Sequence, residues 1–86
     1  SPLMGKTVIM YPKLRRYLQN MKKNKQITYV NIANSMNLHT NVVTSWFCGL
    51  RFPRASNILP LARALGATKD EQNQIAMDIL TIATEE

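Results

Sequence analysis

The sequence predicts an all-α domain of five helices, on three observations. Apolar residues recur at three- and four-residue spacing from Leu14 to Ala83. The breaks between these periods hold residues that start or stop helices. With 86 residues, 45% of them hydrophobic and 19% charged, the chain has the composition of one small globular core. A domain of this size buries a modest fraction of its surface, so self-association is the expected support for its stability. Cys48 is the single cysteine, so no internal disulfide can form, which fits a reducing, cytoplasmic setting. Cys48 and His39 are too few for a structural zinc site, and neither metal nor cofactor is expected. The longest apolar runs fall far short of the roughly 18 residues a bilayer span needs, so no membrane partner is expected.

Taken in order, Ser1-Pro2-Leu3 ahead of Met4 reads as a cloning remnant and is set aside, with no secretory signal after it. Gly5-Lys6-Thr7 resembles the end of a phosphate-binding loop, but the upstream glycine is missing. Residues 1–10 are read instead as an arm, with Lys6 placed to approach a phosphate, in preference to a short strand. The domain proper spans 11–86. Pro12 suits a first helical position, and Leu14, Tyr17, Leu18 and Met21 then line one side of a helix reaching about Asn24. Its other face carries Lys13, Arg15, Arg16, Lys22 and Lys23, with Lys25 just beyond. That helix lacks the wide apolar face of a membrane-surface helix, leaving phosphate contact or plain solvation.

Thr28 caps the second helix, whose Ile32, Ala33 and Met36 face a core. Asn37-Leu38-His39 is the turn, opened by a residue that tolerates left-handed backbone. In the third helix Val43, Trp46, Phe47 and Leu50 form an apolar side, while Thr40, Asn41, Thr44 and Ser45 form a polar, uncharged stripe opposite. Short neutral hydrogen-bonding side chains suit close approach to base edges in a major groove. Trp46, in phase with Val43 and Phe47, is a core residue rather than a stacking platform. His39 is expected at the surface uncharged, and Cys48 as an inert thiol.

Gly49 permits a left-handed turn into an exposed basic loop, Arg51-Phe52-Pro53-Arg54. Ser56 or Asn57 is expected to cap the fourth helix, with Ile58, Leu59, Leu61, Ala62 and Leu65 buried, Pro60 tolerated near its first turn and Gly66 closing it. Thr68 and Glu71 form a capping box for a last helix over 69–84, with Asp70 and Glu71 at its positive end. Its apolar stripe of Ile75, Ala76, Ile79, Ile82 and Ala83 is expected to serve both tertiary packing and a dimer seam, the seam using Ile79, Ile82 and Ala83.

All five acids, Asp70, Glu71, Asp78, Glu85 and Glu86, follow residue 69, while all eleven Lys and Arg residues lie at or before Lys69. The net charge of +6 thus arises from a cationic body without a carboxylate of its own, as expected for a surface that meets a polyanion. An enzyme is not expected: the carboxylates sit at one end of the chain, and no second His or Cys completes a nucleophilic or metal constellation.

Thr28, Ile32-Ala33, Asn37-Leu38, Val43, Gly49, Pro53 and Leu61-Ala62-Arg63-Ala64-Leu65-Gly66 occur at spacings that resemble the phage repressor and Cro (XRE) family of helix-turn-helix domains. The resemblance runs from Leu14 to Glu71. It implies a compact five-helix, lambda-repressor-like domain whose third helix enters the major groove, acting as a homodimer on two half-sites about one helical turn apart. By position it implies base reading by Thr40, Asn41 and Ser45, with Asn41 able to bond adenine in bidentate fashion and Thr40 or Thr44 offering a methyl to thymine. Tyr29, Arg51 and Arg54 match phosphate-touching positions and should set affinity more than sequence choice.

Phe47 stands where many members carry a Glu paired with a basic residue of the first helix; without that pair, Lys22 is left for solvent or phosphate. His39 stands where a Ser or Thr cap is usual, and a poor cap there would shift the helix start and move Thr40 from base contact to capping. The function these features imply is a sequence-specific regulator of the phage or mobile-element repressor type. It would bind operator DNA as a homodimer, take no small-molecule ligand and occlude a promoter. The alternative is a protein-interaction module of the same fold, an antirepressor or antitoxin-like subunit that uses its last helix.

Overall fold

The computed structural model describes residues 9–86; most of the 1–10 arm, Lys6 included, lies outside the described residues. Five helices follow one another: α1 (Pro12–Lys25), α2 (Tyr29–Met36), α3 (Thr40–Phe47), α4 (Ala55–Ala64) and α5 (Lys69–Glu85). The all-α, five-helix class read from the apolar periodicity is the observed one.

Four of the five helices end in the same way, with reversed hydrogen bonds that tie the last turn to the next two residues. After α3, Gly49 N–H donates to the Trp46 carbonyl at 3.1 Å and Leu50 N–H to the Ser45 carbonyl at 2.9 Å. After α4, Gly66 and Ala67 donate to Arg63 and Ala62. Gln26 and Asn37 serve the same role after α1 and α2 at φ 53° and 57°, so the left-handed turn anticipated at Asn37 is present. Asn adopts this backbone with little penalty, whereas Gln26 is strained by it. Caps begin three helices as the residue types suggested or better. Thr28 accepts from Asn31 N–H, and Thr68 with Glu71 makes both halves of a capping box. His39 also caps: its Nδ1 accepts from Asn41 N–H at 3.1 Å. The helix start therefore stays at Thr40, whose side chain is not needed as a cap.

One core joins all five helices. Leu14 and Leu18 of α1, Ile32 of α2, Val43 and Phe47 of α3, Leu61 of α4 and Ile79 of α5 are fully enclosed, with Leu65 beside them. Each such side chain contributes about 1.5–3 kcal/mol of burial. Trp46 is buried with them, as its phase suggested. No buried side-chain polar atom lacks a partner among the described residues. Among the described residues no helix is long and apolar enough to cross a membrane.

Four expectations are corrected. The fourth helix begins earlier than its Ser and Asn suggested: Arg54 is its N-cap without a side-chain cap bond, because buried Pro53 and the edge-on packing of Phe52 against Tyr11, with centroids 5.3 Å apart, fix where the loop ends. Pro60 consequently lies inside α4 rather than in its first turn. The carbonyl that loses its donor is that of Ser56, on an exposed residue where water can replace it. Leu59 is exposed because it falls one step off the buried 58, 61, 62, 65 stripe. Leu50, expected on the apolar side of α3, is 38% exposed: the helix stops at Phe47 and the left-handed turn at Gly49 swings Leu50 outward.

Candidate nucleic-acid interface

Two short helices joined by three residues form the candidate site, α2 supporting and α3 presented. What fixes α3 is visible in its carbonyls, since the last four of any helix lack intrahelical donors beyond the end. Here Thr44 O accepts from Cys48, Ser45 O from Leu50 and Arg51, and Trp46 O from Gly49. The fourth, Phe47 O, accepts from Gln19 Nε2 of α1 at 2.9 Å. The same Gln19 amide donates to the Tyr29 hydroxyl at 3.1 Å. Gln19 therefore joins α1, α2 and the end of α3 at one point. It links α1 to α3 where Phe47, in place of a Glu, leaves no ion pair to do so; Phe47 itself is in the core.

The polar stripe divides into a free group and two restrained ones. Asn41 is exposed, and its carboxamide makes no hydrogen bond among the described residues, leaving both its donor and its acceptor for a ligand. Thr44 Oγ1 donates to Thr40 O at 2.9 Å and Ser45 Oγ to Val42 O at 2.6 Å. These half-buried hydroxyls spend their protons on the helix and present lone pairs outward. Thr40 is half-buried at the first turn.

The four residues assigned to phosphate differ in freedom. Arg51 and Arg54 are exposed, on the loop after α3. Lys22 is half-buried, its ammonium 4.7 Å from the centre of the Tyr29 ring, a cation–π contact that holds it beside α2 while its N–H groups remain available. Tyr29 is half-buried edge-on to Phe47, centroids 5.3 Å apart; its phenol accepts from Gln19 and keeps its own proton to donate. An open depression of about 310 Å³ lies against the outer side of α3, lined by Asn41, Val42, Ser45, Leu50 and Arg51.

Folding redistributes the charges. Glu71 pairs with Lys25 at 3.0 Å and Glu85 with Lys13 at 3.3 Å. A Glu86 carboxylate oxygen accepts from the Lys13 backbone N–H at 2.8 Å, in the first turn of α1 where negative charge is favoured. Asp78 accepts from Tyr17 O–H at 2.9 Å. The basic body is therefore partly neutralised by the chain's acidic end, but at α1. Among the described residues no ion pair engages Lys22, Arg51 or Arg54. The backbone N–H of Thr68 and the Lys25 ammonium hold the Glu71 carboxyl below its ordinary value of 4.5. Burial, and then the Asp78 carboxylate, push the Tyr17 phenol well above the usual tyrosine range.

The three residues assigned to a dimer seam are not brought to one surface. Ile79 and Ile82 are buried in the monomer's own core, and Ala83 is exposed. What α5 turns outward is Met77, 64% exposed, and Leu80, 52% exposed. Gln19, Val42 and Leu50 were missed as site residues. Gln19 had a faint signal, a neutral amide set beside core Leu18 in an otherwise basic helix. Compared with known protein families, curated proteins and solved structures, the chain matches none.

Proposed function

We propose that the chain is a sequence-specific double-stranded DNA-binding regulator of the phage repressor and Cro type, acting by occupying an operator and blocking a promoter. The observation that carries this reading is the composition of the α3 surface: a free Asn41 carboxamide beside the Thr44 and Ser45 lone pairs, next to Arg51 and Arg54, with the acids drawn to α1. In this reading Thr40, Asn41, Thr44 and Ser45 read bases, while Tyr29, Lys22, Arg51 and Arg54 hold phosphates. Two subunits meet through the outward side of α5, where Ala83 accompanies Leu80 and Met77, so that two α3 helices reach successive major grooves.

Gel-shift titration against promoter fragments at several salt concentrations tests this. Three cations per subunit imply that log K falls against log salt with a slope of about −2.7 per bound subunit, from about −0.9 per phosphate. Salt-sensitive binding without preference among duplexes would remove sequence specificity, and no binding at low salt would remove DNA as the partner. Exposed Met77 and Leu80 also favour a second reading, a protein-interaction module that docks through α5. A stoichiometric protein partner lost on Leu80→Asp, together with DNA affinity no better than non-specific, would select it.

A further inference from the structure

We propose that the depression beside α3 is a thymine-methyl shelf, so that this protein selects an A·T pair through Val42 and Leu50 in addition to its polar residues; the inference rests on the DNA-reading function above. The apolar part of the depression is made by half-buried Val42 and outward-turned Leu50, side chains eight positions apart that the Gly49 turn brings to one place. Leu50 is held there by its backbone, which donates to Ser45 O at 2.9 Å, while Arg51 donates to the same oxygen at 3.2 Å. The shelf is thus built rather than incidental: the loop is fastened to the helix it flanks.

The rim specifies what covers it. Asn41 offers a free donor and acceptor, the pair that adenine N7 and N6–H₂ require. Ser45 Oγ, its proton committed to Val42 O, accepts and does not donate, which favours an exocyclic amine over a carbonyl oxygen. Arg51 supplies the positive charge for the adjoining backbone, and no acid lines the depression. In the major groove thymine alone presents a methyl, next to the adenine edge that Asn41 fits. An A·T pair therefore satisfies the polar rim and the apolar floor together, whereas G·C leaves the floor uncovered.

The experiment begins with selection of duplexes by the wild-type protein from a randomised library. Each thymine in a selected duplex is then replaced in turn by uracil, which lacks only the C5 methyl. Uracil at one thymine per half-site is expected to weaken binding about fourfold, the equivalent of ~0.8 kcal/mol for one buried carbon. In Leu50→Ala, a change at an exposed position, the same replacement should alter affinity by less than about twofold, which makes the pair a double-mutant cycle across the interface. Selected sequences whose affinity ignores uracil everywhere would overturn the shelf and leave the DNA-reading function standing. So would a uracil effect of equal size in Leu50→Ala, because the methyl would then be read elsewhere. Absence of any enriched sequence would overturn the DNA-reading function itself, and the shelf with it.

Discussion

Replacing Gln19 by Ala should loosen the end of the candidate reading helix from the rest of the domain. The substitution removes two hydrogen bonds, to Phe47 O at 2.9 Å and to the Tyr29 hydroxyl at 3.1 Å. Their losses are unequal. The Tyr29 phenol is half-buried and regains water, so its bond contributes about 0.5–1.5 kcal/mol, whereas a part-buried carbonyl at a helix end stripped of its donor costs about 1–3 kcal/mol. The two together come to about 1.5–4.5 kcal/mol, which partial solvation reduces to about 1–3 kcal/mol overall. In a domain of this length that lowers the melting temperature by about 4–8 °C per kcal/mol.

Thermal unfolding followed by far-ultraviolet circular dichroism, with Trp46 emission as a tertiary probe, measures the change. Gln19→Glu sharpens the test, because a carboxylate has the same shape but no donor and faces the Phe47 carbonyl with negative charge. It should be the worse variant at neutral pH and recover as the carboxylate protonates. Melting temperatures for both variants within a degree of the parent would refute the idea that this amide secures α3.

Asn41→Ala should relax base choice by about 1–3 kcal/mol at one position, while Arg54→Ala weakens all sequences alike and reduces the salt slope by about one; competition binding against variant duplexes separates the two. Gln26→Gly should stabilise the domain by up to about 1 kcal/mol, read as a higher urea midpoint, because glycine relieves a left-handed residue at φ 53°. Thr68→Ala should cost about 1 kcal/mol by removing half of the capping box. Because the folded state lowers the Glu71 pKa, its contribution is present above about 4.5 and fades as pH falls through the lowered value. The difference in urea midpoint between pH 7 and pH 3 should therefore shrink in Glu71→Gln. Tyr17 has the opposite sign: its raised pKa favours the folded state below pH 10 and loses that advantage in stronger alkali, so absorbance titration should show a late tyrosine ionisation that Tyr17→Phe removes.

Most of the architecture was legible because helices report themselves locally. The periods led by Leu14, Ile32, Val43, Ile58 and Ile75, and the punctuation at Thr28, Asn37, Gly49, Gly66 and Thr68, sit within a few residues of what they control. Interactions between distant segments were not legible. Gln19 meets Phe47 across 28 positions and Glu86 meets Lys13 across 73, and no local pattern announces either. Leu50 was misjudged because its spacing continued the apolar stripe while the helix carrying that stripe had already ended. The breadth of the stripe on α5 was visible, but not its division. Only packing against α1 and α4 shows that Ile79 and Ile82 belong inside and Leu80 outside.

The carbonyl of Gly49 accepts the Tyr11 amide at 2.9 Å, and a methyl group on Gly49 would meet Tyr11 O at 2.7 Å. The threshold of α1 and the exit of α3 are thus clasped back to back, with no room for a side chain between them. Any force on the loop carrying Arg51 is then borne by the base of α1 rather than absorbed by slack chain. In hydrogen exchange the Tyr11 amide becomes a gauge of that clasp: it should exchange slowly while the α3 exit is seated, and its release in Gly49→Ala would mark the two parts coming undone.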